Sequence, residues 1–373
     1  MDSLQKGCAQ HMKIIKKIIS VENTCLTLLY REYNNSLFFD IETTGLSSEN
    51  AYIFMIGYVN VEQEQKVLTQ LMCENAEDEC EMLKNFAFVL NRKENVVTYN
   101  GNSFDIPFII SRCKKYNIDI NIPESIDLYR EISKYKKIFL LENYKQKTLE
   151  RFLGLGRDDV LSGKELIKLY REYVVDRDSE KEALLLLHNY EDVFNLSQLV
   201  CIRKYFDIFN GIFSDASYST EKYLDENNNE AVNLIIKVDI NECIPKDLSV
   251  NNEVAFIKIH GSQITVSIKA YVGELLYFFD DYKNYYYLPY EDYAIHKSVA
   301  SYVDKQYRQQ AKACNCYTHV KGIFVPAYYS EGCKTFAKNY DDKTPYIALD
   351  DKSFSSSDFI SYYVKAVFND ILN

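Results

Sequence analysis

Three short stretches of the chain gather carboxylates at spacings that suit metal chemistry. Asp40-Ile41-Glu42-Thr43-Thr44-Gly45 closes an apolar run. Side chains at i and i+2 of a strand share a face, so Asp40 and Glu42 project together. Two carboxylates aimed at one spot repel unless a cation neutralises them, and all-oxygen ligation favours Mg²⁺ or Mn²⁺. Gly45 lets the chain turn sharply off the strand. In Tyr99-Asn100-Gly101-Asn102-Ser103-Phe104-Asp105-Ile106-Pro107-Phe108, Asp105 falls between a strand and a helix whose first turn suits Pro107. In His188-Asn189-Tyr190-Glu191-Asp192, His188 and Asp192 stand one helical turn apart on one face. Each stretch alone also has a plainer reading: an edge strand with two solvated acids, a helix cap at Asp105 or Ser103, the polar stripe of an amphipathic helix.

The elements that must position these residues follow from β-branched and aromatic runs. Ser36–Ile41, Tyr52–Val59 and Lys66–Cys73 read as strands, Glu77–Leu90 as a helix, Val96–Tyr99 as a strand, Ile106–Tyr116 as a helix and Ser125–Leu128 as a fifth strand. Helical segments continue to about Tyr205. Three strands close in sequence, then two separated by helices, predict an α/β domain over 36–205 with a mixed five-stranded sheet flanked by helices. Residues 1–35 read as a helical extension, with Ile14, Ile15, Ile18 and Ile19 on one face. Residues 206–230 read as a linker, because Asp225–Glu230 (DENNNE) is polar and turn-rich. Residues 231–373 read as a second, α+β domain. Its strands are Ala231–Ile240, Val254–Ile259, Gln263–Val272 and Leu275–Phe279, and its helices Asp292–Lys312 and Ser357–Leu372. Cys314, Cys316, His319 and Cys333 in that domain depart from the usual zinc-ligand spacing, and buried or unpaired thiols are the better reading there.

The order of the three acidic stretches resembles that of the DEDD superfamily of 3′→5′ exonucleases, which have an RNase H-like fold. Residues 40–45 are similar to its first motif. Residues 99–108 are similar to its second, in the style of the proofreading domains of B-family DNA polymerases, and 188–192 are similar to its third. The resemblance implies metal-ligand roles for Asp40, Glu42, Asp105 and Asp192, two bound Mg²⁺ or Mn²⁺ ions, and hydrolysis of phosphodiester bonds from a 3′ end. The histidine subclass carries its histidine five residues before the last Asp, and the tyrosine subclass its tyrosine four before. Here His188 lies four before Asp192, which combines the histidine chemistry with the tyrosine spacing. Together with Lys147-Thr148-Leu149 and Ser162-Gly163-Lys164-Glu165-Leu166, the arrangement resembles the bacterial YprB-type RNase H-like family of predicted exonucleases. His188 is then expected to orient or deprotonate the attacking water, as imidazole does near neutral pH.

Composition narrows the substrate. The chain has 373 residues, with 43 Lys and Arg against 54 Asp and Glu, so the net charge of −11 excludes a module that holds duplex nucleic acid mainly by counterion release. The segment Tyr129–Arg151 runs against that background, with seven Lys and Arg, three acids and Tyr129, Tyr135, Phe139 and Tyr144. Interleaved basic and aromatic residues suit the 3′ end of single-stranded DNA or RNA as the partner, and a solvated helix face is the alternative. By resemblance to the second motif, Asn100 and Asn102 hydrogen-bond the terminal nucleotide, with Thr43, Thr44 and Leu46 packed beside it. A structure-specific endonuclease on the same fold and an inactive nucleic-acid-binding module are the competing readings. With no signal-like segment or membrane-spanning run, a cytoplasmic protein with reduced thiols is expected.

Overall fold

The structure, a computed structural model, describes residues 12–19, 32–62, 65–349 and 352–373. The chain divides into two compact units, Met1–Lys136 with Leu140–Arg203, and Lys137–Phe139 with Lys204–Asn373.

The first unit is built on a six-stranded mixed sheet: β1 (Lys13–Ile18), β2 (Ser36–Thr43), β3 (Ile53–Glu62), β4 (Gln65–Met72), β5 (Asn95–Thr98) and β6 (Glu124–Asp127), in the order β1-β4-β3-β2-β5-β6. The β1-β4-β3-β2 pairings are antiparallel, and β5 and β6 extend β2 in parallel. All five expected strands are present, with the expected helices α1 (Glu79–Leu90) and α2 (Asp105–Lys115) between them. Beyond them lie α3 (Gln146–Leu153), α4 (Gly163–Asp176) and α5 (Ser179–Leu199).

The sixth strand corrects the helical reading of residues 14–19; the rest of that extension lies largely outside the described residues. Lys13 pairs with Met72 and Ile18 with Val67. The isoleucines fit a helical face by spacing, but they are β-branched and suit a pleated edge. A free edge of β4 more than forty residues away settles the matter, and no local pattern reports it.

Alternation in β2 decides what each sheet face carries. Leu37, Phe39 and Ile41 join one core cluster with Ile56, Tyr58 and Leu71, packed against Met82, Phe86 and Ile109 of α1 and α2. Asp40 and Glu42 therefore emerge on the opposite face. There Phe54, Met55 and Met72 pack against Leu166, Tyr170, Tyr173 and Leu185 of α4 and α5. Beneath the first cluster, Arg112 (3% exposed) binds Glu79 (0%) through Nε at 2.8 Å, and the Ile53 N–H donates to the same carboxylate at 2.9 Å. This ion pair ties α1, α2 and β3 together.

The second unit centres on an eight-stranded sheet whose named strand pairings are antiparallel. Its first hairpin, β7 (Asp215–Leu224) with β8 (Glu230–Asp239), corrects the linker over 206–230: DENNNE is the hairpin turn, closed by Asp225 accepting the N–H groups of Asn227 and Asn229. Nearly every side chain of β7 is exposed, so the strand shows no apolar alternation to read. One 16-residue strand, Gln263–Phe278, runs through both segments expected at 263–272 and 275–279. The helix expected at 292–312 is absent. Tyr293–His296 is a strand paired with Tyr285–Leu288, followed by the helical turn Lys297–Ala300, a 3-10 turn at Lys305–Tyr307 and the short strand Gln309–Gln310. The C-terminal helix is present as Ser357–Leu372, capped by the Ser356 side chain. No helix among the described residues is long and apolar enough to cross a membrane.

Candidate active site

The site is assembled at the end of β2, where the pairing with β3 shifts register between Glu42 and Thr43. Such irregularities re-aim side chains at a strand end. The turn after β5 brings in Asp105. Asn100 has a left-handed backbone (φ 63°), and a Cβ at Gly101 would sit 2.5 Å from the Thr98 side chain, so the turn needs a glycine there. The Asp127 carboxylate holds the turn by accepting the Asn100 and Asn102 N–H groups at 2.9 and 3.1 Å. Asp105 opens α2 and accepts the Ile41 N–H at 3.2 Å, which fixes it against the β2 backbone between the two acids.

Helix α5 supplies the rest, and its five-residue motif divides by face. His188 and Asp192 look onto the β2 acids. Buried Asn189 accepts from Gln70 Nε2 at 3.1 Å, and the same amide donates to Leu186 O at 2.8 Å, pinning the helix to β4. The helix comes this close because position 57, opposite Asp40 in β3, is glycine: a Cβ there would lie 2.2 Å from Asn189 Oδ1 and 2.8 Å from Val193. Glu191 turns away and accepts the N–H groups of Asp158 and Asp159, both at 2.8 Å.

His188 Nε2 lies 3.2 Å from Asp192 Oδ2 and 3.6 Å from Glu42 Oε1. Ligand atoms of Glu42, His188 and Asp192 fall within 4.8 Å of one another, and they form the one such group among the described residues. Cys314, Cys316, His319 and Cys333 form no such group, and His319 instead contacts Glu274 at 2.8 Å and Asp292 at 3.2 Å.

The electrostatics show what the cluster lacks. Burial first, and then repulsion from Asp105, Asp192 and Glu42, drive the Asp40 carboxyl well above its ordinary range. Glu42 is raised by burial and by Asp192 and Asp105. Burial pushes Asp105 up to about 7 despite the Ile41 hydrogen bond. Asp192 is raised by burial and relieved by His188 and Arg157. Carboxyls gathered this way must take up protons or a cation. An oxygen-rich donor set with one imidazole beside it fits hard divalent ions such as Mg²⁺ or Mn²⁺.

Arg157 and Asp159 are the residues that motif reasoning missed. Arg157 Nη2 binds Asp192 Oδ1 at 2.5 Å and Glu150 Oε1 at 2.8 Å. It thus supplies part of the positive charge from the segment between α3 and α4. Asp159 lies on the same segment with its carboxylate 2.9 Å from His188 Nδ1. The available signal was an Arg157-Asp158-Asp159 run just after Gly154 and Gly156, a charged, turn-rich connection between two helices.

The expected substrate residues fall on two segments, Thr43, Thr44 and Leu46 directly after Glu42 and Asn100 and Asn102 in the turn before Asp105. Thr43 is buried and spends its hydroxyl on Gly45 O at 2.8 Å, Thr44 accepts the Tyr52 N–H at 3.1 Å, and Leu46 is 86% exposed. Asn100 is exposed, and Asn102 Oδ1 accepts from Ser125 at 2.7 Å. Asn102 also lines a cavity of about 560 Å³ with Tyr129, Arg130, Lys134 and Lys136. The two acids on its wall are engaged. Asp127 takes four backbone N–H groups, and Glu131 binds Arg203 at 2.9 Å. The cavity is therefore a basic surface with an aromatic side chain, and Lys136 stands 5.8 Å over the Tyr129 ring.

A family model described as RNase_H superfamily matches residues 37–202. A DNA polymerase of Pyrococcus glycovorans is 36% identical over 94 residues, 22% of this chain and 12% of the polymerase. The uncharacterized protein YprB of Bacillus subtilis (strain 168) is 28% identical over 174 residues, 44% of this chain and 41% of YprB. The chain thus spans well under half of either relative. Escherichia coli exonuclease I in complex with a dT13 oligonucleotide aligns over 60% of this chain and 54% of its own, at 10% identity and a TM-score of 0.32.

Proposed function

We propose that the RNase H-like domain of residues 37–202 is a divalent-metal-dependent nuclease, and that it works as a 3′→5′ exonuclease on single-stranded DNA or RNA. The observation that carries this reading is the approach of Glu42, His188 and Asp192 ligand atoms to within 4.8 Å of one another, with Asp40 on the same strand face and Asp105 bonded to the Ile41 N–H between the two acids, so that burial and mutual repulsion raise all four carboxyls. A fold gains nothing from four mutually repelling acids unless cations join them.

Those four carboxylates would hold two Mg²⁺ or Mn²⁺ ions, which supply Lewis-acid activation of a water and stabilisation of the leaving 3′-oxygen. The protein's own residues do the rest. His188 presents Nε2 to the space beside Glu42 and Asp192, where it accepts the proton of the attacking water. Asn100 and Asn102 hydrogen-bond the terminal nucleotide, with Thr43, Thr44 and Leu46 beside it. Tyr129 stacks on a base further along the strand, while Arg130, Lys134 and Lys136 take its phosphates.

The test is a time course with 5′-labelled single-stranded DNA and RNA in Mg²⁺, Mn²⁺ or EDTA, beside an Asp40→Asn control. A ladder shortening from the 3′ end, lost with EDTA and in the variant, is the expected result. Discrete internal products would point to an endonuclease. Binding without cleavage of either strand would overturn the enzymatic reading.

A further inference from the structure

We propose that Asp159 is a positioning residue for His188, fixing the ring so that Nδ1 carries the hydrogen and Nε2 faces the carboxylate cluster; the role rests on the nuclease reading above. The two side chains come from different elements, 29 positions apart, and meet with Asp159 Oδ2 2.9 Å from His188 Nδ1. Both are enclosed, the Asp159 side chain 2% exposed and that of His188 8%. Among the described residues the buried Nδ1 has no aligned hydrogen-bond partner. A small turn of the ring toward Asp159 would supply one, and catalytic hydrogen bonds that are poorly aligned at rest commonly tighten on loading.

Asp159 is itself held in place. The Leu161 N–H donates to Oδ1 at 3.0 Å, and Lys147 Nζ reaches Oδ2 at 3.0 Å. Arg157 Nη1 stands 3.4 Å from the same oxygen. Two cations keep the carboxylate charged, so it acts as an acceptor. The backbone beneath it is clamped by Glu191, three residues along α5 from His188. The segment is thereby fastened to the helix that carries the imidazole. This arrangement also gives Lys147 a purpose, as a counter-ion and tether for Asp159.

The chemistry is that of an oriented base. With the hydrogen on Nδ1, the Nε2 lone pair is free to receive a proton from water. The resulting imidazolium lies between Asp159 and the cluster, and Asp159 keeps its charge throughout. A carboxylate behind an imidazole is a common means of fixing tautomer and ring angle.

The test combines a structural readout on metal-free protein with kinetics on the loaded one. In ¹⁵N-histidine-labelled full-length chain, with the resonances assigned by His188→Gln, the wild type is expected to show His188 with Nδ1 protonated. Asp159→Ala should move it toward the other tautomer, and Asp159→Glu should restore it in part. Asp159→Ala should lower kcat by about 10- to 100-fold, the usual loss for an outer partner. KM for the oligonucleotide and the affinity for Mn²⁺ should stay within about twofold, and Asp159→Ala should add little to His188→Ala. An unchanged tautomer in Asp159→Ala, an unchanged kcat, or additive losses in the double variant would overturn the proposal. If Asp159→Ala does not fold, the near-isosteric Asp159→Asn takes its place in both measurements. A wild type that hydrolyses nothing would sink the nuclease reading, and the tautomer alone would then decide the contact between Asp159 and His188.

Discussion

The two units treat polarity in opposite ways. Every buried Ser, Thr, Asn, Gln, His or charged side chain among the described residues falls between Ser36 and Ser197, within the first unit. The second unit buries the alternating apolar positions of its sheet, Val232, Leu234, Ile236 and Val238 on one strand and Ile264, Val266 and Ile268 on another. Its polar cluster of His319 with Glu274 and Asp292 has side chains 32%, 41% and 52% exposed. Enclosing charge costs free energy unless partners compensate. The first unit therefore carries a cost in stability that its enclosed polar groups must offset through one another, and the apolar core of the second carries less of it.

The contrast is broken most decisively at the acid cluster. Asp192→Asn should reduce divalent-dependent hydrolysis by more than about 100-fold, the upper end for losing only an outer partner, while the circular dichroism spectrum stays unchanged. Retention of a tenth of the activity would remove Asp192 from the ligand set.

Next come two core changes with different mechanisms. Arg112→Ala leaves Glu79 buried without its cation and should cost about 3–5 kcal/mol in urea unfolding. Ile236→Ala in the second unit removes buried volume and should cost about 2–5 kcal/mol. A second change, Glu79→Gln, should recover part of the first loss by removing the unpaired charge, and no such polar change should recover the second. A double variant no more stable than Arg112→Ala would erase the distinction between the units.

Asp105→Asn sharpens the comparison because its sign is unusual. In metal-free protein the folded carboxyl sits at about 7 against an ordinary 3.8. Between those values the folded state binds more protons than the unfolded one, so this group makes stability fall as pH rises through that range. The neutral variant should therefore melt higher than the wild type near pH 8, by roughly 2–4 °C for each kcal/mol relieved. The gap should close below about pH 3, where the carboxyl is protonated in both the folded and the unfolded chain. Added Mn²⁺ should raise the melting temperature of the wild type and do little for the variant. A variant less stable than wild type at pH 8 without metal would show that the site carries no electrostatic cost.

The smallest effect is expected at the basic cavity. Tyr129→Ala should weaken binding of single-stranded oligonucleotides by about 1–3 kcal/mol, the range for one stacked base. Unchanged affinity in a fluorescence titration would leave the cavity without a role in substrate binding.

Much of the first unit was legible without tertiary information. Its five expected strands carry dense β-branched and aromatic runs, and α2 carries Pro107 in its first turn. The acids were legible for a different reason: i and i+2 on a strand, or i and i+4 on a helix, share a face in any fold. What escaped the sequence is contact between distant segments. The partner of Lys13–Ile18 is a free edge of β4, and nothing within six residues encodes it. Strand Asp215–Leu224 carries polar side chains because its exposure comes from its place in the sheet. Segment 292–312 departs from the expected helix because it is broken into short strands, the helical turn Lys297–Ala300 and the 3-10 turn Lys305–Tyr307.

By itself, then, the sequence determined which residues could carry chemistry and on which face of its own strand or helix each would stand, since backbone geometry sets those directions locally. Tertiary structure alone decided that the glycine opposite Asp40 lets α5 close on the sheet and that Arg157 reaches Asp192. It likewise decided that Asp159 stands behind His188. Those relations depend on packing distances of a few ångströms between elements far apart in the chain, where burial and mutual charge fix what each group can do.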